Sequence, residues 1–313
     1  MTSTEKDMPK IRLRRSVLSV PANRERMVRK ALSLDADEIM LDLEDSVPLG
    51  DKQSARREAI ACLKEADFGS RVRACRINDM GTHFAYRDVI DLVEQAGAEL
   101  DVLVVPKVSD SSHITAVDLL LSQIEAGLDL PRRIGIEACI ETAEGLSRAE
   151  TIAACSDRIE ALVFGVADFT ASMGAPPAGI SGHGEGESGP GRWYSVQCRL
   201  AVAARANGLQ VIDAPYGDHT DPEGLQASCR ISAGLGFDGK WAIHPGQIET
   251  INTAFSPSRE QVEQARRVVA AYEQAAGKHS GSLALEGKMI DAASLRLAQA
   301  VVAKWEQMRA GGR

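Results

Sequence analysis

The chain has 313 residues, 44% of them hydrophobic, and a formal net charge of −8. That length and apolar content suit one large α/β domain with an appendage and exclude wholesale disorder, while the acidic balance argues against nucleic-acid binding, which needs a basic patch facing phosphates. The six cysteines are scattered without a CxxC pair and read as free thiols in a reducing compartment. No signal-peptide core opens the chain and no run approaches the roughly 20 apolar residues of a membrane span, so the expectation is a cytoplasmic protein with neither membrane nor nucleic acid as partner.

In chain order, short apolar or β-branched runs alternate with helical patterns. The strand candidates are 16–20, 38–44, 73–78, 102–108, 133–141, 159–168, 210–214 and 240–244. Between them, RERMVRKALSL, KQSARREAIACLKEA, FAYRDVIDLVEQAG, SHITAVDLLLSQIEAG and PEGLQASCRISAGLG carry apolar residues at helical spacing. Eight such β-α units in about 250 residues predict an α/β fold of the closed (β/α)8 TIM-barrel type. An open doubly wound sheet would carry a Gly-rich phosphate turn after its first strand, and none is present. The stretch 170–192 is rich in Gly and Pro and reads as a loop at the barrel mouth or an unstructured excursion. Beyond a helical pattern at 259–275, the polar segment GKHSGSLALEGK reads as a linker to a last helix at 292–308. The expected division is therefore a barrel domain, 1–275, and a C-terminal extension, 276–313.

Polar residues gather where the proposed strands end. Glu44 and Asp45, Arg76 and Asn78, Lys107, Glu141, Asp168, Asp213 and His244 all fall at or just past C-terminal strand ends, the face on which such barrels keep their active sites. Glu141 closes RIGIEACIE and Asp168 closes IEALVFGVAD. Carboxylates placed where a rigid apolar run meets a loop suit a hard cation, so the pair suggests a Mg²⁺ site. Each residue also has a plainer reading. Glu44 or Asp45 can cap the next helix, His244 before Pro245 can be a hydrogen-bonded structural histidine, and Lys107 can pair with a neighbouring carboxylate. Arg76 closes an apolar strand and needs an anionic partner, either a protein carboxylate or the substrate; the substrate is the favoured choice.

The segments RSVLSVPANRERMVRKA, MLDLEDSVP, RIND, VVPKV, IETAEG, GVADFTASMG, GDHTDPEG, GKWAIHPGQI and GKMIDAASLRLAQ closely resemble the HpcH/HpaI aldolase and citrate lyase β-subunit superfamily, and within it the malyl-CoA lyase group. The resemblance runs from about Arg15 to Ala303. It implies a (β/α)8 barrel with a C-terminal helical extension or lid. The activity it implies is Mg²⁺-dependent cleavage of malyl-CoA or β-methylmalyl-CoA to acetyl-CoA or propionyl-CoA and glyoxylate, or the reverse condensation.

By motif, the resemblance makes Glu141 and Asp168 the metal ligands, with Mn²⁺ as an alternative ion. Arg76 becomes the residue that fixes the 2-oxo acid, and Asp45 and Asp291 join it as catalytic residues. Substrate contacts fall to Glu44, Ala167, Arg24, Lys30 and Asn252, the last three toward coenzyme A, which enters as part of the substrate. Asp291 matches an aspartate that reaches the active site of a neighbouring subunit, so a homotrimer or homohexamer is expected. DAPYGD, where the group typically has DGPFGD, and the composition of 170–192 depart from the pattern and leave the acyl-CoA open. Citramalyl-CoA lyase, a citrate lyase β-like protein, a malyl-CoA thioesterase and a non-catalytic barrel subunit are the alternatives.

Overall fold

The computed structural model describes residues 12–176, 191–276, 283–285 and 287–310. Its main body is a closed barrel of eight parallel strands in sequence order, β1 (Ser16–Pro21), β2 (Glu38–Asp42), β3 (Val72–Arg76), β4 (Val102–Val105), β5 (Gly135–Ile140), β6 (Ile159–Phe164), β7 (Gln210–Asp213) and β8 (Gly239–Ala242). β8 returns to β1 with Val17 opposite Trp241 and Leu18 opposite Ala242. Several strands, among them EIMLD, VLVV and GIEACI, are buried at every position, as a parallel sheet covered on both faces requires.

The connecting helices are α1 (Glu25–Leu32), α2 (Lys52–Glu65), α3 (Ala85–Ala96), α4 (Ser111–Leu128), α5 (Ala143–Ser147), α6 (Ala149–Ala153), α7 (Val166–Ser172), α8 (Tyr194–Ala206), α9 (Pro222–Gly234) and α10 (Ile248–Ala254). α3 shows why they dock. Val89, Leu92, Val93 and Ala96 recur at three- and four-residue steps and are all buried. Local signals set the starts: the Asp110 side chain accepts from Ser112 N at α4, and Asp221 accepts from Gly224 N at α9, where Pro222 takes the first turn.

All eight expected strands form, but several stop short of their predicted ends. β2 ends at Asp42 and not at residue 44, and β6 ends at Phe164 and not at 168, because Gly165 opens α7 and draws Val166 to Asp168 into its first turn. Most of the Gly- and Pro-rich stretch, 177–190, lies outside the described residues.

Inside the barrel the side chains are layered. Val17, Met40, Val72, Ala74, Val102, Val104, Cys139, Ala161, Val163, Ile212 and Trp241, contributed by all eight strands, form one buried apolar cluster. A polar group built on Arg14 joins the N-terminal ends of the strands: its Nε lies 3.0 Å from Glu38 and 2.7 Å from Glu137, and its other nitrogens reach Gln210 and Glu160. Burial pushes Glu38 well above the usual carboxylate range, with Glu137 beside it adding to the rise and Arg14 opposing it. Two residues on from the apolar layer, Asp42, Arg76 and Glu141 take the same parity at the opposite ends of their strands.

Packing divides the chain into Met1–Asn252 and Thr253–Arg313. In the second unit, α11 (Arg259–Ala276) and α12 (Ala292–Ala310) share a core of Ala265, Val268, Ile290 and Ala298. α11, which the sequence reading assigned to the barrel side of the boundary, thus packs with the extension. The expected linker is in part a hairpin, β9 (Leu283–Leu285) against β10 (Lys288–Ile290), formed where Gly287, whose φ is 77°, lets the chain turn back.

Candidate active site

The C-terminal ends of β2 and β3 carry the most constrained polar group. Asp42 and Arg76 are register partners on adjacent strands. The guanidinium donates Nε to Asp42 Oδ1 at 2.7 Å and Nη2 to Oδ2 at 2.8 Å, a bidentate pair. Arg76 also lies over the Trp241 ring, 5.4 Å from its centroid. Burial alone would raise the Asp42 pKa, but Arg76 outweighs it and holds the carboxyl down at about 2. Asp42 is therefore one anionic partner of Arg76, and it takes only the Nε–Nη2 edge of the guanidinium. The pairing has a geometric cause, since neighbouring strands bring residues at equal register to hydrogen-bonding range.

Glu44 and Asp45 follow on the turn after β2, which is tied down by Lys52 Nζ donating to the carbonyls of Leu43 (2.8 Å) and Glu44 (2.6 Å). Neither caps a helix by side-chain contact: the helix N-cap residue is Asp51. Glu44 is buried and accepts from Lys107 Nζ through Oε1 at 2.5 Å. Its Oε2 lies 3.0 Å from Arg76 Nη1 but off the angle of a hydrogen bond, so among the described residues that oxygen is buried without a hydrogen-bond partner. Burial raises the pKa of Glu44 against the pull of Arg76 and Lys107. Asp45 is more exposed, 3.3 Å from Lys107 Nζ and 3.9 Å from Arg76 Nη1.

Lys107 joins this group to the two expected metal ligands. Its φ of 48° is rare for a side chain larger than glycine, and it turns the backbone N–H onto Glu141 Oε1 at 2.6 Å. Its Nζ lies 3.7 Å from Asp168. The plainer expectation for Lys107, pairing with a barrel carboxylate, is what the structure has. Glu141 follows β5 directly and is buried, and Asp168 projects from the first turn of α7. Burial pushes Glu141 up to about 7, with Glu44 and Asp168 adding to the rise and Arg76 and the Lys107 N–H opposing it. Gly165 makes the closeness of β6 to Glu141 tolerable: a Cβ there would stand 3.0 Å from Glu141 Cδ and nearer still to Oε2 and Cβ.

Five carboxylates, Asp42, Glu44, Asp45, Glu141 and Asp168, thus face two cations, Arg76 and Lys107. Among the described residues no group of three or more His, Cys, Asp or Glu side chains converges as a metal cage. Two hard carboxylates beside surplus negative charge fit Mg²⁺ nonetheless, because that ion keeps several waters or substrate oxygens in its octahedron. A cation there offsets the cost of holding Glu141 charged in a buried position.

The remaining expected residues scatter. Arg24 and Lys30 are exposed on and before α1, and Ala167 lies beside Asp168 in α7. Asn252 sits at the other end of the barrel: its Oδ1 accepts from Ser16 Oγ (2.8 Å) and its Nδ2 donates to Asp35 O (2.7 Å), at the start of β1 and ahead of β2. The structure does not bring it to the strand ends that hold Arg76 and Glu141. Asn78 donates to Asp88 of α3, and Asp213 accepts from Lys240 (2.6 Å) and Gln197 (2.9 Å), all buried or half-buried structural contacts. His244 accepts from Gly246 N through Nδ1 in a capping box with Gln247, the structural role foreseen for it. In the second unit Asp291 caps α12, accepting from Ser294 N and Oγ at 2.9 Å. The backbone N–H of Ser294 lowers its pKa. Asp42, Trp241 and Gly165 were not foreseen.

The family model for HpcH/HpaI aldolase/citrate lyase matches residues 15–245. The chain belongs to the HpcH/HpaI aldolase/citrate lyase family. Within it, the chain is 38% identical over 310 residues to an L-malyl-CoA/β-methylmalyl-CoA lyase of Cereibacter sphaeroides, covering 96% of this chain and 98% of that protein. It is 36% identical over 299 residues to a (3S)-malyl-CoA thioesterase of the same species, covering 95% and 96%. Among solved structures, CitE from Mycobacterium tuberculosis in complex with magnesium, acetoacetate and coenzyme A matches with a TM-score of 0.73 at 30% identity, over 92% of this chain and 97% of that one. The family and the barrel are those expected from the motifs, and that CitE structure holds magnesium and coenzyme A. Among the described residues no helix is long and apolar enough to cross a membrane.

Proposed function

We propose that the chain is a Mg²⁺-dependent carbon–carbon lyase that cleaves malyl-CoA or β-methylmalyl-CoA to acetyl-CoA or propionyl-CoA and glyoxylate, and runs the reverse condensation. The observation that carries the reading is the joining of Glu141, Asp168 and Arg76 at one barrel mouth through Lys107 and Glu44, in a chain that aligns with a lyase of that name over 96% of its length. Glu141 and Asp168 are the residues that would hold the ion, which when bound supplies Lewis acidity and a template for the 2-oxo acid.

The chain's own groups divide the remaining work. In condensation the acyl-CoA carbon next to the thioester gives up a proton and attacks the aldehyde carbon of glyoxylate; in cleavage the same bond breaks and that carbon leaves as the enolate. Negative charge gathers on oxygen in both directions. Arg76, its orientation fixed before substrate arrives, donates hydrogen bonds to the oxo-acid oxygens and to the alkoxide that forms from the carbonyl. Asp45, solvent-accessible beside Lys107, and Asp291, contributed by a neighbouring subunit of a trimer or hexamer, are the carboxylates assigned to proton transfer. Arg24 and Lys30, both exposed, are assigned to the coenzyme A phosphates, and the cytoplasm is the proposed compartment.

The test is a coupled assay offering malyl-CoA, β-methylmalyl-CoA and citramalyl-CoA in turn, with and without EDTA. The reading requires EDTA-sensitive release of glyoxylate; pyruvate from citramalyl-CoA alone would move the assignment to the lyase that differs by one pocket methyl, worth only about 1 to 3 kcal/mol. The 36% identity to a malyl-CoA thioesterase supports a second reading. Free coenzyme A appearing with malate, and no glyoxylate, would establish that one instead.

A further inference from the structure

We propose that Asp42 is a positioning residue for oxo-acid recognition, acting through Arg76. The inference rests on the reading of Arg76 as the residue that binds the 2-oxo acid. Asp42 is fully buried at the end of β2 and has no approach to solvent or substrate of its own. Oδ1 accepts from two donors and Oδ2 from three. Oδ1 takes Arg76 Nε and the backbone N–H of Glu44 (2.9 Å), and Oδ2 takes Arg76 Nη2, the backbone N–H of Ser46 (3.1 Å) and Ser46 Oγ (2.5 Å).

The consequence for Arg76 follows from the shape of a guanidinium. Its five N–H donors lie in one plane, and the Nε–Nη2 edge is consumed by Asp42. The Trp241 ring sits against the guanidinium, 5.4 Å from ring centroid to Cζ, and limits tilt. What remains is the Nη1 side and the outer Nη2 hydrogen, where Nη1 stands 3.0 Å from Glu44 Oε2 in an ion pair that lacks hydrogen-bond geometry. Asp42 thereby chooses which edge of Arg76 meets the ligand, and the Ser46 hydroxyl and two backbone N–H groups keep Asp42 from following the arginine if it swings. A free arginine at this place would have to lose its rotamer freedom when the oxo acid binds; here that freedom is already gone.

A double-mutant cycle tests this with the intact, Mg²⁺-loaded enzyme, measuring condensation of acetyl-CoA with glyoxylate. Asp42→Asn removes one acceptor from the pair while keeping the size, so kcat/KM for glyoxylate should fall about tenfold to a hundredfold, the usual cost of losing an outer partner, while KM for acetyl-CoA and the Mg²⁺ affinity stay close to wild type. Because Asp42 acts only through Arg76, the Arg76→Lys/Asp42→Asn double variant should be no worse than Arg76→Lys alone. Ser46→Ala, which loosens Asp42 without removing charge, should show the same glyoxylate-specific loss at smaller size, and it carries the cycle if Asp42→Asn does not fold. Losses that multiply in the double variant, a parallel rise in KM for acetyl-CoA, or wild-type glyoxylate parameters in Asp42→Asn would each overturn the positioning role while the lyase reading stands. Absence of glyoxylate-dependent turnover in the wild-type enzyme would overturn the lyase reading, and the positioning role with it.

Discussion

Replacing Gly165 by alanine is the sharpest probe of the assigned metal site, because it displaces one ligand without touching its chemistry. The added methyl would stand 3.0 Å from Glu141 Cδ and closer to Oε2 and Cβ, against an ordinary contact that begins at 3.4 Å. Either Glu141 or the turn from β6 into α7 has to yield by roughly an ångström, a displacement that costs about a hundredfold when it falls on a group whose placement matters. Overpacking of this kind lowers stability by about 1 to 3 kcal/mol, which for a barrel of this size is a fall in Tm of about 2 to 12 °C, so the fold should survive. The Mg²⁺ Kd should rise by about tenfold to a hundredfold, or about 1.4 to 2.8 kcal/mol. Calorimetric titration with Mg²⁺ at matched, fully folded protein gives the number directly. Gly50→Ala is the control, since nothing lies within 4 Å of a Cβ there. Wild-type Mg²⁺ affinity in a folded Gly165→Ala variant would remove Glu141 from the metal site.

Three further outcomes are expected. Glu38 is raised by burial and by Glu137 beside it, so the folded chain keeps a proton that the unfolded chain sheds above about 4.5; stability present below that pH falls as pH rises toward the raised value, by up to about 1.4 kcal/mol per pH unit. Glu38→Gln mimics the protonated form, and its Tm relative to wild type should improve between pH 5 and pH 8; an unchanged difference would show that Glu38 does not titrate in this range. At Lys107, whose φ is 48°, Lys107→Gly keeps the N–H to Glu141 and relieves the backbone, so it should outlast Lys107→Ala by about 1 kcal/mol in chemical denaturation, and equal stabilities would dismiss the strain. Asp291→Asn keeps a good helix cap and Asp291→Ala does not, so a catalytic carboxylate predicts loss of turnover in both, with the helix weakened only in the alanine variant; full turnover in Asp291→Asn would leave capping as its whole role.

Much of the barrel was legible because its signal is redundant. Eight apolar runs separated by helical patterns give the strand number and order even when each end is misjudged, and the ends were misjudged where polar residues extend an apolar run, as in LDLED and FGVAD. Glu141, Arg76, Lys107 and Glu44, all within or just past strand ends, do gather at one mouth. Asn252 does not, because its helix follows the last strand and folds back to the opposite end of the barrel, a return that no local pattern announces. The hairpin near the C-terminus was hidden for a related reason: its strands are three residues long, too short for a period to be read.

Asp42 was missed for a different reason, and the residues that hid it also contain the means of finding it. In EIMLDLED the period of two that turns Glu38 and Met40 into the barrel continues to Asp42 and then to Glu44, and it leaves Asp45 on the other side. Burial alone does not reveal the count, because Leu43 of the opposite parity is as buried as Asp42 and Glu44, and only Asp45 is exposed. The same count on β3 turns Ala74 and Arg76 inward, and equal register then sets Arg76 against Asp42. On β5 it runs through Glu137, Cys139 and Glu141, so that one strand supplies a carboxylate to the floor, a thiol to the apolar layer and a carboxylate to the mouth. Parity therefore orders the site by depth. The innermost carboxylate of the site, Asp42, is spent on orienting a cation; the next, Glu44 and Glu141, are buried, and Glu44 Oε2 has no hydrogen-bond partner among the described residues; and the outermost, Asp45 and Asp168, reach solvent, where an arriving ion or acid is first met.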